Sequence, residues 1–547
     1  MNIKQEITDL NVEKSQQGFY QGFNQIVTVG AKVLIIALVL WAAVYSDEAA
    51  YTLSGIKAWS FTYLGAWYIY VMGFFVVACI ALAVTPSIGK IKLGKADDKP
   101  EFSKFSWISM MFGSGIGIGM LTYATAEPLY HFANNPDTIQ GFTASGSTGN
   151  IIASMKWAFF HWGLSAWGCY AIIGVCLAYF SYNKGFPLTI RSALIPLFGR
   201  KLEGAVGHAV DIFAVIATVL GVAVTVGFGV SQYASGIYEV FGWNWLLNAD
   251  KSPSTQGMLF ALCIVMSLSI VSAASGVGRG IKWLSNINMW LSAALITFFI
   301  IFGATVLSFT SLTQGLVAYA LDLPSLLFTY WAPSEVEPMK GLNAWQSGWW
   351  TIFIWAWWIG FAPFVGLFLA RISKGRTIRE FILGAMLIPT LVACVWFAVL
   401  GSTAINLELT GVADGSISSA GQEAQLFMML KLLVSDTIYP IMTSLILILL
   451  TTFLVTSADS AILCVNTINS VGVMPNKSKT HIVIWGVMFS AVIGVLLISG
   501  GLGAIKSAVI IAAVPFSIIM ALMVVSLAIS LFKDRLSIIE LQKTVSQ

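Results

Sequence analysis

The chain has 547 residues, of which 57% are apolar and only 10% charged, with a formal net charge of +4 and a mean hydropathy of +0.83. A soluble domain carries roughly 25% charged residues, so most of this surface faces lipid, and so small a positive charge points to no nucleic-acid partner. The six cysteines (Cys79, Cys169, Cys176, Cys263, Cys394 and Cys464) fall in apolar stretches without the spacing of a disulfide framework or zinc site, and read as small core hydrophobes.

A spanning helix needs about 20 apolar residues. Twelve such helices are predicted, centred near residues 36, 74, 115, 167, 222, 264, 298, 358, 391, 446, 490 and 518. Those near 167, 222, 298 and 446 are expected to exceed the membrane thickness. The first 24 residues are polar and the first apolar run is long enough to span, so no cleavable leader is read. With the amino terminus inside, 22 of the 29 Lys and Arg residues lie on inner segments and five on outer ones, which orients both termini toward the cytoplasm. The predicted layout is a cytoplasmic tail over 1–24, two additional helices and a basic inner loop over 25–104, a five-helix unit over 105–311, an outer segment over 312–345, a second five-helix unit over 346–532, and a short cytoplasmic tail over 533–547. Within the outer segment, the stretch from Leu316 to Trp331 is amphipathic and suited to lying along the membrane surface.

The third span contains GSGIGIG, Gly113 to Gly119, and each glycine costs a helix about 1 kcal/mol relative to alanine. Close helix packing explains such a run as readily as unwinding does. The eighth span carries Gly360, Pro363 and Gly366, and the proline removes a helical donor at membrane depth. Interruptions at corresponding places in two five-span units predict an inverted-repeat transporter with a site at the midplane. A glycine run also invites a nucleotide-binding reading, but this one lies inside a span and lacks GK[ST].

Twenty tryptophans exceed what interfacial anchoring at positions such as Trp59, Trp67 and Trp243 accounts for. The fourth span brings Trp162, Trp167 and Tyr170 together. The eighth brings Trp355, Trp357, Trp358 and Phe361, with Trp357 and Trp358 at helical spacing from Phe361. Aromatic faces close around a quaternary ammonium because the ring quadrupole attracts a cation that offers no N–H, and a desolvated contact gives about 2 kcal/mol. Any one of these rings would serve equally well as core filling. Two clusters beside two helix interruptions point to a cage.

On these residues the chain resembles the betaine/carnitine/choline transporter family from about residue 20 to 532. The resemblance is carried by MFGSGIGIGMLTYATAEPLYHF (111–132), FHWGLSAWGCYA (160–171), WAWWIGFAPFVGLFLARISKGRTIREF (355–381) and TSADSA (456–461). It implies an all-α polytopic protein of the bacterial cytoplasmic (inner) membrane, with a LeuT-like five-plus-five inverted repeat plus two amino-terminal helices, usually trimeric. It further implies transport of a betaine, choline, carnitine or a related solute, and no enzymatic activity. By motif, Trp162, Trp167, Tyr170, Trp357 and Trp358 resemble the family's cage. Gly115 and Gly117 fall beside it, and Tyr130 offers a further ring. Where many members read WWISWSPF this chain reads WWIGFAPF, so Phe361 replaces a tryptophan, which leaves the solute's identity open within the class.

Neighbouring hydroxyls at Thr456 and Ser457, with backbone carbonyls of Gly113, Ile116 and Phe453, resemble the family's sodium site. Sodium is the expected coupling ion, and no other cofactor is implied. The alternatives are a sodium-independent exchanger or proton-coupled carrier, and hydroxyls that merely bond back to their own helix. Glu127 and Asp459 are ionisable residues within spans and so functional candidates, Asp459 equally as a cap. Lys156 is placed to snorkel outward, and Arg371, Lys374, Arg376 and Arg379 read as topology-fixing inner charges. His161 stands alone in its span and His131 near a span end, so no membrane-embedded metal cluster is expected.

Overall fold

A computed structural model describes residues 7–115, 117–275, 280–473 and 479–545; of 112–115, 280–282 and 537–545 it describes the backbone course alone. In hydrocarbon every backbone N–H and C=O must be paired within its own segment, which helices achieve. The described residues are accordingly helical throughout the apolar runs and contain no strand, only two isolated bridges, Lys92 with Thr377 and Leu247 with Pro253.

The longer helices are α1 Gln25–Val44, α2 Ser46–Val84, α3 Lys104–Gly115, α4 Gly117–Ala133, α5 Ile151–Trp162, α6 Leu164–Ala178 and α7 Ala205–Phe241. They continue with α8 Thr255–Ser275, α9 Gly280–Phe302, α10 Thr305–Phe328, α11 Thr351–Ile372, α12 Ile378–Leu409, α13 Tyr439–Asn469 and α14 Lys479–Val545. Eleven helices among the described residues are long and apolar enough to cross a membrane. The last of these bends at Gly500 and Gly501, where Gly501 takes φ +59°, so it carries the two predicted spans near 490 and 518.

Several expectations are corrected. The third span is described as α3 and α4 on either side of residue 116, with Gly113, Gly115, Gly117 and Gly119 all helical rather than unwound. The eighth span is not interrupted: α11 runs unbroken through Pro363, enclosed by protein along its length, so packing holds the turn that lacks one hydrogen bond. Its irregularity lies earlier, where a π-helical turn over Ala344–Trp349 meets Trp350 at φ −124° and ψ −85°. The fourth span breaks instead, at Gly163 between α5 and α6. The helix near 298 is an ordinary 23 residues, while α2 runs for 39. The outer segment begins as α10 at Thr305 and is itself apolar enough to span. The carboxyl tail expected to begin at 533 is a continuation of α14.

The amino-terminal strap lies against the helix ends. Leu10 and Val12 are buried, Asp9 pairs with Arg200 at 3.1 Å, and Asn24 caps α1 through Val27 N–H at 2.9 Å. Arg191, just before α7, is fully buried and pairs with Asp211 at 2.6 Å. The core of the bundle is where α4, α5, α6, α7, α11 and α13 converge, and it is there that the aromatic residues collect.

Candidate functional site

At Gly163 the helix stops with φ −94° and ψ −134° and restarts at Leu164. The last carbonyls of a helix and the first N–H groups of the next have no partner within it. Here the Leu164 N–H donates to the Tyr319 hydroxyl of α10 at 3.1 Å, and the His161 carbonyl accepts the Trp358 indole N–H at 3.0 Å. The break therefore fixes both Trp162, the final residue of α5, and Trp358 of α11. The signal for it was a glycine between two aromatic groups inside one apolar run.

Trp162, Trp357, Trp358 and Phe361 line a nearly closed cavity of about 10 Å³, room for little more than a water molecule, completed by Gly117, Gly119, Thr225 and Ser457. The four rings are 2% exposed or less. Trp162 meets Trp358 edge-on with centroids 5.0 Å apart, and Trp357 stacks on Trp358 at 5.0 Å. Each indole N–H is already used: Trp162 on Glu127 at 2.6 Å, Trp357 on the Thr225 hydroxyl at 2.9 Å, and Trp358 on the His161 carbonyl. With the donors occupied, what these rings present to the cavity is π-face and edge, which suits a cation without N–H groups.

The glycine run is explained by close approach. A Cβ at Gly117 would enter the Phe453 ring, and one at Gly119 the Trp162 ring, so both rings lie directly on the α4 backbone. Gly113 and Gly115 end α3, among the residues described by backbone course alone, and Ile116 lies outside the described residues.

The other expected aromatics are not part of the lining. Tyr170 stands behind it, its ring 6.1 Å from Trp358 and 6.4 Å from Phe361, and Trp167 packs on Tyr170 at 5.7 Å. The Trp167 N–H and Tyr170 hydroxyl are buried with no partner among the described residues. Tyr130 is only partly buried and packs on Trp350 at 4.8 Å. The ring of α4 that reaches the cage is Tyr123, 5.6 Å from Trp162 and 5.9 Å from Trp357. Phe228 of α7, 5.6 Å from Trp357, extends the aromatic wall. Sequence reasoning missed Thr225, Gly119, Tyr123 and Phe228. Tyr123, two helical turns before Tyr130, was within reach of it.

Thr456 and Ser457 are buried in α13, with Ser457 on the cavity wall. The Thr456 Oγ1 lies 2.9 Å from the Thr452 carbonyl and 3.1 Å from that of Phe453, and accepts from Asn288 at 3.3 Å. Asp459 is buried one turn on, accepting from Ser272 at 2.5 Å and Ser460 at 3.0 Å. Lys156 pairs with Asp137 at 3.0 Å and Asp322 at 2.9 Å, tying α5 to α10. On the opposite side of the bundle the loop after α11 is pinned to residues 91–93 by backbone bonds from Leu93, Gly375 and Ile378. There Arg376 lies 4.0 Å over the Trp107 ring and pairs with Glu380 at 2.5 Å.

The expected absence of a membrane-embedded cluster is overturned. Glu127 and His131 of α4 and His161 of α5 are fully buried with their ligand atoms within 4.8 Å of one another. Glu127 and His131 share a face at i, i+4, and the helix crossing supplies His161.

The family model for the betaine/carnitine/choline family transporters (BCCT) matches residues 26–536. The glycine betaine transporter OpuD of Bacillus subtilis is 39% identical over 513 residues, covering 93% of this chain and 94% of that one. The betaine/ectoine transporter LcoP of Corynebacterium glutamicum is 35% identical over 516 residues, covering 93% and 78%. Among solved structures, a Na+-coupled sialic acid symporter in a substrate-bound outward-open state matches with a TM-score of 0.47 and 12% identity over 84% of this chain and 86% of that one, too distant a likeness to assign ion or solute. With the family model spanning nearly its whole length, this multi-pass membrane protein belongs to the betaine/carnitine/choline transporter family, whose members are transporters and not enzymes.

Proposed function

We propose that the chain imports a betaine-type quaternary ammonium or sulfonium solute (glycine betaine, choline, carnitine or dimethylsulfoniopropionate) by sodium symport with alternating access. The observation that carries this reading is the cavity walled by Trp162, Trp357, Trp358 and Phe361, whose indole donors are all engaged elsewhere. The rings offer an ordinary amine no hydrogen-bond acceptor, leaving only the Thr225 and Ser457 hydroxyls for its N–H groups, and disfavour it on that ground. Two relatives that carry betaine transport in their names support the solute class. Sodium would be held by the Thr456 and Ser457 hydroxyls with backbone carbonyls of Phe453, Gly113 and Ile116, all oxygen ligands suited to a hard cation. A LeuT-like five-plus-five repeat, a homotrimer, and placement in the bacterial inner membrane with both termini cytoplasmic belong to the same proposal.

The second reading is sodium-independent exchange or proton coupling of the same solute. It is favoured by the Thr456 hydroxyl, which already has backbone and Asn288 partners. Uptake of labelled glycine betaine, choline, carnitine and dimethylsulfoniopropionate into proteoliposomes, with an inward sodium gradient or potassium in its place, separates the two. Saturable uptake only with sodium supports symport. Equal uptake in potassium supports the second reading, and no uptake of any of the four refutes both.

A further inference from the structure

Glu127 has no exposed surface, and it sits in the middle of the bundle one ring away from the cavity. Its Oε2 accepts the Trp162 indole N–H at 2.6 Å. Its Oε1 lies 2.6 Å from His161 Nδ1 and 3.2 Å from His131 Nε2. Indole nitrogen is a donor only, so Oε2 is an acceptor. With His161 protonated on Nδ1, its Nε2 is left to accept the Thr351 hydroxyl at 3.0 Å, and His131 protonated on Nε2 completes the set. This arrangement uses two neutral imidazoles and one ionised carboxylate and leaves no donor facing another donor. Burial works against the charged form of this carboxylate, and hydrogen bonds from several N–H groups work for it. Rings enclose the triad: Trp345 stacks on His161 at 5.6 Å, and Trp350 lies 4.7 Å from His131.

We propose that Glu127 is the counter-charge of the aromatic cavity, an ionised carboxylate that orients Trp162 through its N–H and enriches the indole face that meets the solute's cationic headgroup. The proposal rests on the cavity being the solute site. Glu127 does not touch the cavity space and is a positioning residue. A carboxylate bonded to an indole N–H pushes electron density into the ring, and in a low-dielectric interior its charge is felt through that ring. Buried ionisable groups in spanning helices serve as ligand counter-ions for this reason.

A metal ion is the competing use of two histidines and a glutamate. Ligands at about 2.0–2.1 Å around a tetrahedral zinc stand roughly 3.3 Å apart. The His161 nitrogen and Glu127 oxygen at 2.6 Å are at hydrogen-bond distance instead.

The test compares glycine betaine with 3,3-dimethylbutanoate, which has the same shape and carboxylate but carbon in place of the quaternary nitrogen. Both are titrated as competitors of labelled glycine betaine uptake in proteoliposomes of wild type, Glu127→Gln and Glu127→Asp. Glutamine keeps an acceptor for Trp162 and removes the charge, so the preference for glycine betaine falls by about tenfold or more in Glu127→Gln. It is largely retained in Glu127→Asp. A purely structural role would weaken both competitors alike and leave the ratio unchanged, which overturns the proposal. If Glu127→Gln does not fold, infrared spectroscopy of the wild type against Glu127→Asp decides: a difference in the ionised carboxylate bands supports the counter-charge, and a difference in the protonated carboxyl band rejects it. Zinc binding by calorimetry in the wild type that disappears in Glu127→Gln would make the triad a metal site and overturn it as well. A wild type that takes up no glycine betaine refutes the solute reading itself, and the counter-charge with it.

Discussion

Trp358 of α11 donates its indole N–H to the main-chain carbonyl of His161 in α5 at 3.0 Å, and that carbonyl is available because the helix ends at Gly163. One glycine thus links two tryptophans of the cavity, Trp162 by position and Trp358 by hydrogen bond. The same His161 holds Glu127 through its ring, so the backbone and side chain of one residue support both halves of the wall.

Loss of the Trp358 ring should therefore be more damaging than loss of its N–H. Trp358→Ala is expected to abolish saturable uptake. Trp358→Phe keeps a face but leaves the His161 carbonyl unpartnered, and KM should rise by about tenfold. Trp59, 55% exposed on α2, is the control, and Trp59→Ala should transport as wild type. Kinetics of labelled solute uptake in the three variants check this, and equal effects at Trp358 and Trp59 would remove the cage argument.

The sodium assignment can be probed without disturbing the wall. Thr456→Val conserves shape and removes a hydroxyl that does not line the cavity. The sodium concentration for half-maximal uptake is expected to rise about tenfold, with solute KM at saturating sodium little changed. An unchanged sodium curve would move the coupling site away from α13.

Lys506 of α14 bears on solute selection. Its ammonium lies 5.1 Å from the Phe228 ring and 4.8 Å from Phe353, and both rings pack on Trp357 at 5.6 and 5.9 Å. Among the described residues no carboxylate lies within ion-pair distance of it. A cation there would repel choline, which has net charge, and attract the carboxylate of a zwitterion. Lys506→Gln should shift the ratio of choline to glycine betaine affinity toward choline by about tenfold, read as competition for uptake.

A methyl group at the crossing of α7 and α11 should be costly. A Cβ on Gly221 would stand 2.5 Å from the Gly360 carbonyl carbon and 2.7 Å from the Phe361 nitrogen. Overpacking of this kind costs about 1–3 kcal/mol. Gly221→Ala in detergent should unfold several degrees below wild type by thermal shift, and an unchanged midpoint would mean that the two helices separate freely.

The hydropathy of the chain made most of the bundle legible, because a lipid environment forces long apolar helices and leaves few alternatives. The paired tryptophans of α11 and Trp162 were legible for a related reason: rings grouped at helical spacing share a face. Trp167 and Tyr170 show the limit of that reasoning. Sharing a span with Trp162 does not give them its face, because the helix is interrupted between them at Gly163. Pro363 misled in the opposite sense. A proline costs a helix one hydrogen bond, but a segment enclosed by protein on all sides keeps its course. The Glu127 triad was half visible, since Glu127 and His131 are one turn apart, but His161 comes from a second helix and only the fold brings it close.

The contact of Gly221 with Gly360 has a mechanical consequence. Where two helices meet main chain to main chain, there is no interdigitated side chain to change rotamer, and so no give. Any relative movement of α7 and α11 is expected to turn about that spot as a door turns on its hinge pin, opening further toward the two helix ends than beside the rings.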